Sequence, residues 1–254
     1  MLLKLTQFVI FITIISFSSC EDKKKYLHEI EAKNIPISKD LKEVSEITNF
    51  VAPFQEHINK VLDSALAYTP KTISKEDGKY NTTAGNLMAD AVFELTNPIF
   101  KSRTQKEIDF VLLNHGGIRS VISKGTITRR TAYEVMPFEN TVVVVALRGK
   151  AIRNLVKYLI ESNRPHPIAG IQIILDKNNS LSEVNIQGKP FDENVIYHVA
   201  TSNYLVNGGD QMTFFEDKIT LTETDYLIRN VMIDYFIKYD TIFPVRDDRF
   251  KKLD

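Results

Sequence analysis

Residues 108–120 read IDFVLLNHGGIRS, Ile108 to Ser120, an apolar run that stops on an asparagine and is followed by a histidine, two glycines and an arginine. The run Ile108 to Leu113 has only Asp109 as a polar member, the content of a buried strand. Glycine admits positive φ and lets another group approach without a Cβ in between, so Gly116 and Gly117 at a strand end suit a turn facing a ligand. Arg119 just beyond could aim a rigid fork of donors at an anion. Read alone, the segment is more economically an ordinary tight turn with a solvated arginine.

The flanks supply the context. Toward the C-terminus, GTIT (Gly125–Thr128) precedes a helix-like TAYEVM and then Pro137-Phe138. Asn140 to Leu147, NTVVVVAL, is nearly continuous in β-branched residues and predicts a strand buried on both faces. Lys150 to Ser162 has helical spacing at Ile152, Leu155, Val156 and Leu159; Ile171–Leu175 and Val195–Thr201 read as strands, Asp225–Tyr239 as a late helix. Toward the N-terminus, Thr83–Leu95 predicts a helix with Leu87, Ala91 and Val92 on one face. Ile47 to Tyr68, apolar at Phe50, Phe54, Ile58, Val61, Leu62 and Leu66, predicts an amphipathic helix with Pro53 in its first turn. Helices and strands are mixed, so the class is α/β or α+β (mixed α/β).

The chain has 254 residues, 43% hydrophobic and 25% charged, which suits one folded domain. Lys+Arg and Asp+Glu both number 32, so no net field favours a nucleic-acid polymer. MLLKLTQFVIFITIISFSSC at the start, with Lys4, an apolar stretch Phe8–Phe17 and small residues after it, reads as a signal peptide over residues 1–19. The stretch is short for a membrane span. Cys20, the only cysteine, follows Ser18-Ser19 in a pattern resembling a bacterial lipobox, in which the cysteine becomes the lipidated first residue; a plain cleaved signal is the alternative. A single cysteine forms no disulfide within the chain. Residues 20–45, with EDKKK from Glu21, read as a lipidated N-terminus and solvated tether, and 46–254 as the folded domain. The expected place is the bacterial cell envelope, lipid-anchored, facing the periplasm or the outer surface.

In order along the chain stand GNLMADA, NHGGIRS, KGTIT, VMPFEN, LRGKAI, YHVATSNYLVNGGDQMTFF and FPVRDDRF. That series resembles the C-terminal, nucleotide-binding domain of the 5'-nucleotidase family, with its α-β-β-α layering, over roughly residues 47 to 253. The resemblance implies that Asn114 and Arg119 reach the phosphate end of a nucleotide or nucleoside ligand. It implies that Phe138 and Tyr204 close on the base, that Asp210 accepts hydrogen bonds from ribose hydroxyls, and that Gly208 and Gly209 keep their loop near the sugar. The chemistry of each residue suits its part. A base between two rings gains about 1 to 3 kcal/mol per aromatic with little base selectivity. A carboxylate offers two acceptors to vicinal hydroxyls, and an arginine fork meets a phosphate. His115 is expected to be merely exposed.

The sequence departs from the full-length enzymes of that family, which cleave phosphate with two metal ions on a metallophosphoesterase domain. Its five histidines, His28, His57, His115, His166 and His198, are scattered without a metal-ligand motif, so no catalytic residue and no metal ligand is assigned. Divalent ions are expected in a partner metallophosphoesterase instead. Asn81 stands where the family shows a glutamate before GNL, and no arginine lies between Pro70 and Gly85; Lys75 or Lys79 could offer only a point charge there. The expected function is the nucleotide-binding half of a 5'-nucleotidase-type phosphohydrolase in nucleotide catabolism, working with a separate catalytic subunit. The alternative is a non-catalytic binding or interaction lipoprotein, so the chain's own standing as an enzyme stays open.

Overall fold

The computed structural model of the chain describes Gln7, Leu27 and residues 29–38 and 40–253. Cys20, and the signal peptide apart from Gln7, lie outside those residues. Contacts divide the chain into a unit Met1–Phe50 and a unit Val51–Asp254. In the first, residues 29–38 are exposed and take no regular structure. Helix α1, Ser45–Leu62, buries none of its residues. Pro53 lies inside this helix, not in its first turn, and the helix stops before the apolar pattern does: Ala65–Thr69 is a strand, β1. Three of the five residues in ALAYT are alanine or β-branched threonine, too short a stretch for periodicity to separate strand from helix.

Helix α2 is Thr83–Thr104, started by the Thr82 side chain accepting from the Gly85 N–H at 3.1 Å. It runs through Pro98, past the expected end at Leu95, and buries Phe100. Strand β2 is Phe110–Leu112, and a 3₁₀ turn follows at His115–Gly117. Then come β3 (Gly125–Thr128), α3 (Arg129–Val135), β4 (Thr141–Arg148), α4 (Gly149–Glu161), β5 (Ile168–Ala169), β6 (Ile171–Leu175), β7 (Leu181–Ile186), β8 (Lys189–Pro190) and β9 (Ile196–Ser202). A short helix α5 (Asn203–Val206), β10 (Thr220–Leu227), α6 (Ile228–Lys238) and β11 (Phe250–Lys252) complete the order. The late helix therefore begins three residues after Asp225. That residue has φ 57° at an irregularity where β10 still pairs with β4, so edge pairing overrides the helical pattern.

The main sheet has the order β10-β4-β9-β2-β5, with β2 and β9 parallel and the other pairs antiparallel. Strand side chains alternate between two cores. Val111, Val142, Val144 and Ala200 pack with α2, α3 and α6 on one face. Phe110, Val143, Val145 and Val199 pack on the other with α4 and a second sheet, β11-β6-β7-β8. The fold is the layered α+β class expected. Register brings three chain segments to one end of the sheet: Val142 pairs with Ser202, and Val111 with Ala200. The segments after β2, before β4 and after β9 therefore leave the sheet side by side. Among the described residues no helix is long and apolar enough to cross a membrane.

Candidate functional site

Those three segments carry all nine of the ligand-contacting residues expected from the sequence. The buried Asn114 side chain does not cap its own 3₁₀ turn; its Nδ2 donates to Asp210 Oδ2 at 2.8 Å. The other carboxylate oxygen of Asp210 accepts from the Tyr204 hydroxyl at 3.2 Å. Tyr158 on α4 donates its hydroxyl to the Asp210 carbonyl at 2.9 Å. Asp210 is held at φ 50°, ψ 24°, a left-handed conformation that a non-glycine residue adopts at a cost. Hydrogen bonds to its side chain and its carbonyl thus fix a residue whose local geometry is unfavourable.

The glycines serve two distinct needs. Gly208, at φ 94°, turns the chain in the left-handed region with open space around it. Gly209 leaves room for Tyr204: a Cβ there would stand 2.4 Å from the ring's Cε1. Gly116 and Gly117 are not at positive φ. They clear space for Asn114, since a Cβ on Gly117 would lie 2.9 Å from Asn114 Oδ1, and one on Gly116 would lie 3.4 Å from Nδ2. The glycine pair is therefore a matter of close approach, not of a left-handed turn.

Arg119 and Phe138 form a second group. The Arg119 guanidinium carbon is 5.9 Å from the Phe138 ring centre, and its Nη1 is 3.4 Å from the Gly116 carbonyl. Gly116 thereby stands between this pair and Asp210, whose Oδ2 would lie 3.9 Å from a Cβ on it. Phe138 is 39% exposed and Tyr204 45%, so neither ring is core filler. The loop of Phe138 is gripped from below by the buried Arg229 of α6, which donates to Glu139 Oε1 at 2.5 Å and to the Pro137 carbonyl at 3.4 Å. Asn203 Oδ1 ties the start of β4 to α5, accepting from the N–H groups of Thr141 (3.2 Å) and Tyr204 (2.8 Å). An open cavity of about 720 Å³ is lined by Asn140, Asn203, Tyr204 and Asp210 among others.

Two histidines depart from the sequence-based expectation. His115 is not simply exposed: its side chain is 15% accessible, with Nε2 3.7 Å from Glu76 Oε1. Burial, then the charge of Lys75, hold its pKa below the usual value. His166, for which the sequence suggests no role, is buried, and its Nδ1 accepts the His115 N–H at 3.3 Å. Burial pushes its pKa down to about 4, against the opposing pull of Asp210. Tyr158 is likewise invisible in the sequence, being one more member of an apolar helix pattern. Asn81 is structural, since its Nδ2 donates to the carbonyls of Asp247 (2.9 Å) and Phe250 (3.1 Å). Lys75 lies beside His115, whereas Lys79 is exposed over the Tyr80 ring. Among the described residues no three His, Cys, Asp or Glu side chains are grouped so as to hold a metal ion.

A sequence profile described as "5'-nucleotidase, C-terminal domain" matches residues 58–217, more than half of the chain. Protein UshA of Escherichia coli (strain K12) is 24% identical over 225 residues, covering 85% of this chain and 38% of that protein. A 5'-nucleotidase of Vibrio cholerae is 26% identical over 236 residues, covering 90% of this chain and 40% of that protein. The crystal structure of the 5'-nucleotidase precursor from Thermus thermophilus is similar with a TM-score of 0.69 at 22% identity, over 82% of this chain and 43% of that one. The NAD nucleotidase NadN of Haemophilus influenzae gives 0.62 at 16% identity, over 83% of this chain and 42% of that one. At these identities the two structures speak for the fold. The chain spans about two fifths of the length of these four relatives.

Proposed function

The chain belongs to the 5'-nucleotidase C-terminal domain family, and on that premise we propose that it is the nucleotide- or nucleoside-binding half of a 5'-nucleotidase-type phosphohydrolase, partnered by a separate metallophosphoesterase subunit. The observation that carries this reading is the seating of Asp210. A carboxylate oriented by Asn114 and Tyr204, beside an exposed ring, is suited to vicinal hydroxyls and a base. Arg119, over the second exposed ring, offers its fork to the phosphate side. The residues described do not fit a resident metal pair, because their potential ligands are not gathered, so no hydrolytic step is assigned to them. They bind and orient the ester while divalent ions held by the partner supply the nucleophile.

In this reading Cys20 carries a lipid that anchors the protein in the cell envelope. Purification from detergent-solubilised native membranes should bring down a metal-dependent AMP phosphatase, and Cys20→Ala should move both into the soluble fraction. AMP hydrolysis by the purified chain alone, surviving controls for contaminating phosphatase, would oppose the division of labour.

A further inference from the structure

Phe138 is a ring on a loop, and the direction of such a ring is set by the backbone that carries it. Both of its neighbours in sequence are held by one side chain. Arg229, the second residue of α6, donates from Nη2 to Glu139 Oε1 at 2.5 Å and from Nη1 to the Pro137 carbonyl at 3.4 Å. Its guanidinium carbon lies 4.2 Å from the centre of the Tyr133 ring of α3. The backbone around Arg229 is tied to the same loop: the Ile228 N–H donates to the Asn140 carbonyl at 2.9 Å, and Leu227 pairs with Thr141. Arg229 thus springs from a backbone already in register with the segment that it grips.

For stability alone the arrangement is a costly one. The Arg229 side chain is 6% accessible and its carboxylate partner Glu139 73%, while the Arg229 Nε is buried with no hydrogen-bond partner among the described residues. Taking a guanidinium out of water is expensive, and a carboxylate that itself stays largely in water returns only part of that cost. An apolar side chain of similar volume would pack there at less expense. What it could not do is bond the residues on either side of a third. The guanidinium is planar and its donors point in fixed directions, so it sets residues 137 and 139 relative to each other and to the Tyr133 ring. Phe138, exposed between them, is aimed by that grip and not by burial. Stacking on a base tolerates little error in the plane of the ring, so an aim fixed in advance favours binding.

We infer that Arg229 is a positioning residue of the site: by holding Pro137 and Glu139 together it sets the direction of the Phe138 ring before a base arrives, and its effect on binding passes through that ring. The inference rests on the reading of Phe138 as one half of a base stack. Adenosine should be titrated, by ligand-observed NMR, into the full chain and into its Phe138→Ala, Arg229→Lys and doubly substituted variants, after circular dichroism has checked folding. Phe138→Ala is expected to weaken adenosine about five- to hundredfold, the worth of one stacked ring. Lysine keeps the charge and loses the fork, so Arg229→Lys is expected to weaken adenosine about threefold or more while Phe138 is present, and to cost nothing further once it is absent. A residue that only supported the fold would weaken binding by the same factor in both backgrounds. Glu139→Ala, a change in a mostly exposed side chain, loosens the same grip and carries the comparison in both backgrounds if Arg229→Lys does not fold. Affinity unchanged by loosening the grip, or equal losses with and without Phe138, would overturn the positioning role and leave the stack standing. Failure of adenosine to bind the parent, or unchanged binding in Phe138→Ala, would instead overturn the stack itself and the role with it.

Discussion

A histidine buried without charge is a liability in acid, and His166 is placed where that liability touches the site. Its Nδ1 accepts from the His115 backbone and its ring lies 5.5 Å from that of Tyr158, the residue holding the Asp210 carbonyl. Asp210, His115 and Arg164 are the charged or titratable neighbours that act on it. Its folded pKa of about 4 lies below the unfolded value of about 6.5, so the unfolded chain takes up a proton first as pH falls. Stability contributed by the neutral ring is thus whole above pH ~6.5 and is lost between ~6.5 and ~4, up to about 3 kcal/mol. Urea midpoints followed from pH 7 to pH 4 should drop more steeply for the parent than for His166→Gln, which can still accept the His115 N–H. Parallel slopes would remove His166 from the account. Nothing in the surrounding Arg164-Pro165-His166-Pro167 marks the histidine as special, because its neighbours come from α4 and from the turn after β2.

At the scale of elements, the sequence was most informative where a long run decides its own state. The β-branched stretch became β4, Thr141–Arg148, and the spaced apolar residues after it became α4. It misled where a short element is decided by its partner. Strand β1 exists through pairing with β3, and β10 through its pairing with β4; neither pattern differs enough from that of the adjoining helix. The loop after β9 shows the same division. Its two glycines were expected to keep the loop near a sugar; in the structure Gly208 supplies a left-handed turn and Gly209 the space for the Tyr204 ring, a partner the sequence does not reveal. Gly209→Ala should displace the Tyr204 ring without straining the backbone, since Gly209 is not at positive φ. Adenosine affinity should fall by about 1 to 3 kcal/mol, the worth of one stacked ring, while stability changes by less than about 1 kcal/mol. Unchanged affinity would mean that Tyr204 does not stack on the ligand.

For the molecule as a whole, the central claim is that one end of the main sheet gathers three loops into a nucleotide site. The residues assigned to the ligand were named through the family resemblance, and the chemistry of each suits its part: two aromatic rings, an arginine after two glycines, an aspartate after two more. The supports were not, since Tyr158, His166 and Arg229 act through tertiary contacts that leave no local pattern. Titration calorimetry with adenosine and AMP on the parent, Phe138→Ala, Tyr204→Ala and Arg119→Ala proteins tests the claim most directly. The account predicts that both ligands bind, that either ring variant weakens both alike by about 1 to 3 kcal/mol, and that Arg119→Ala weakens AMP by about 1.5 to 3 kcal/mol while sparing adenosine. No adenosine binding at about millimolar concentration, or an equal loss of both ligands in Arg119→Ala, would contradict it.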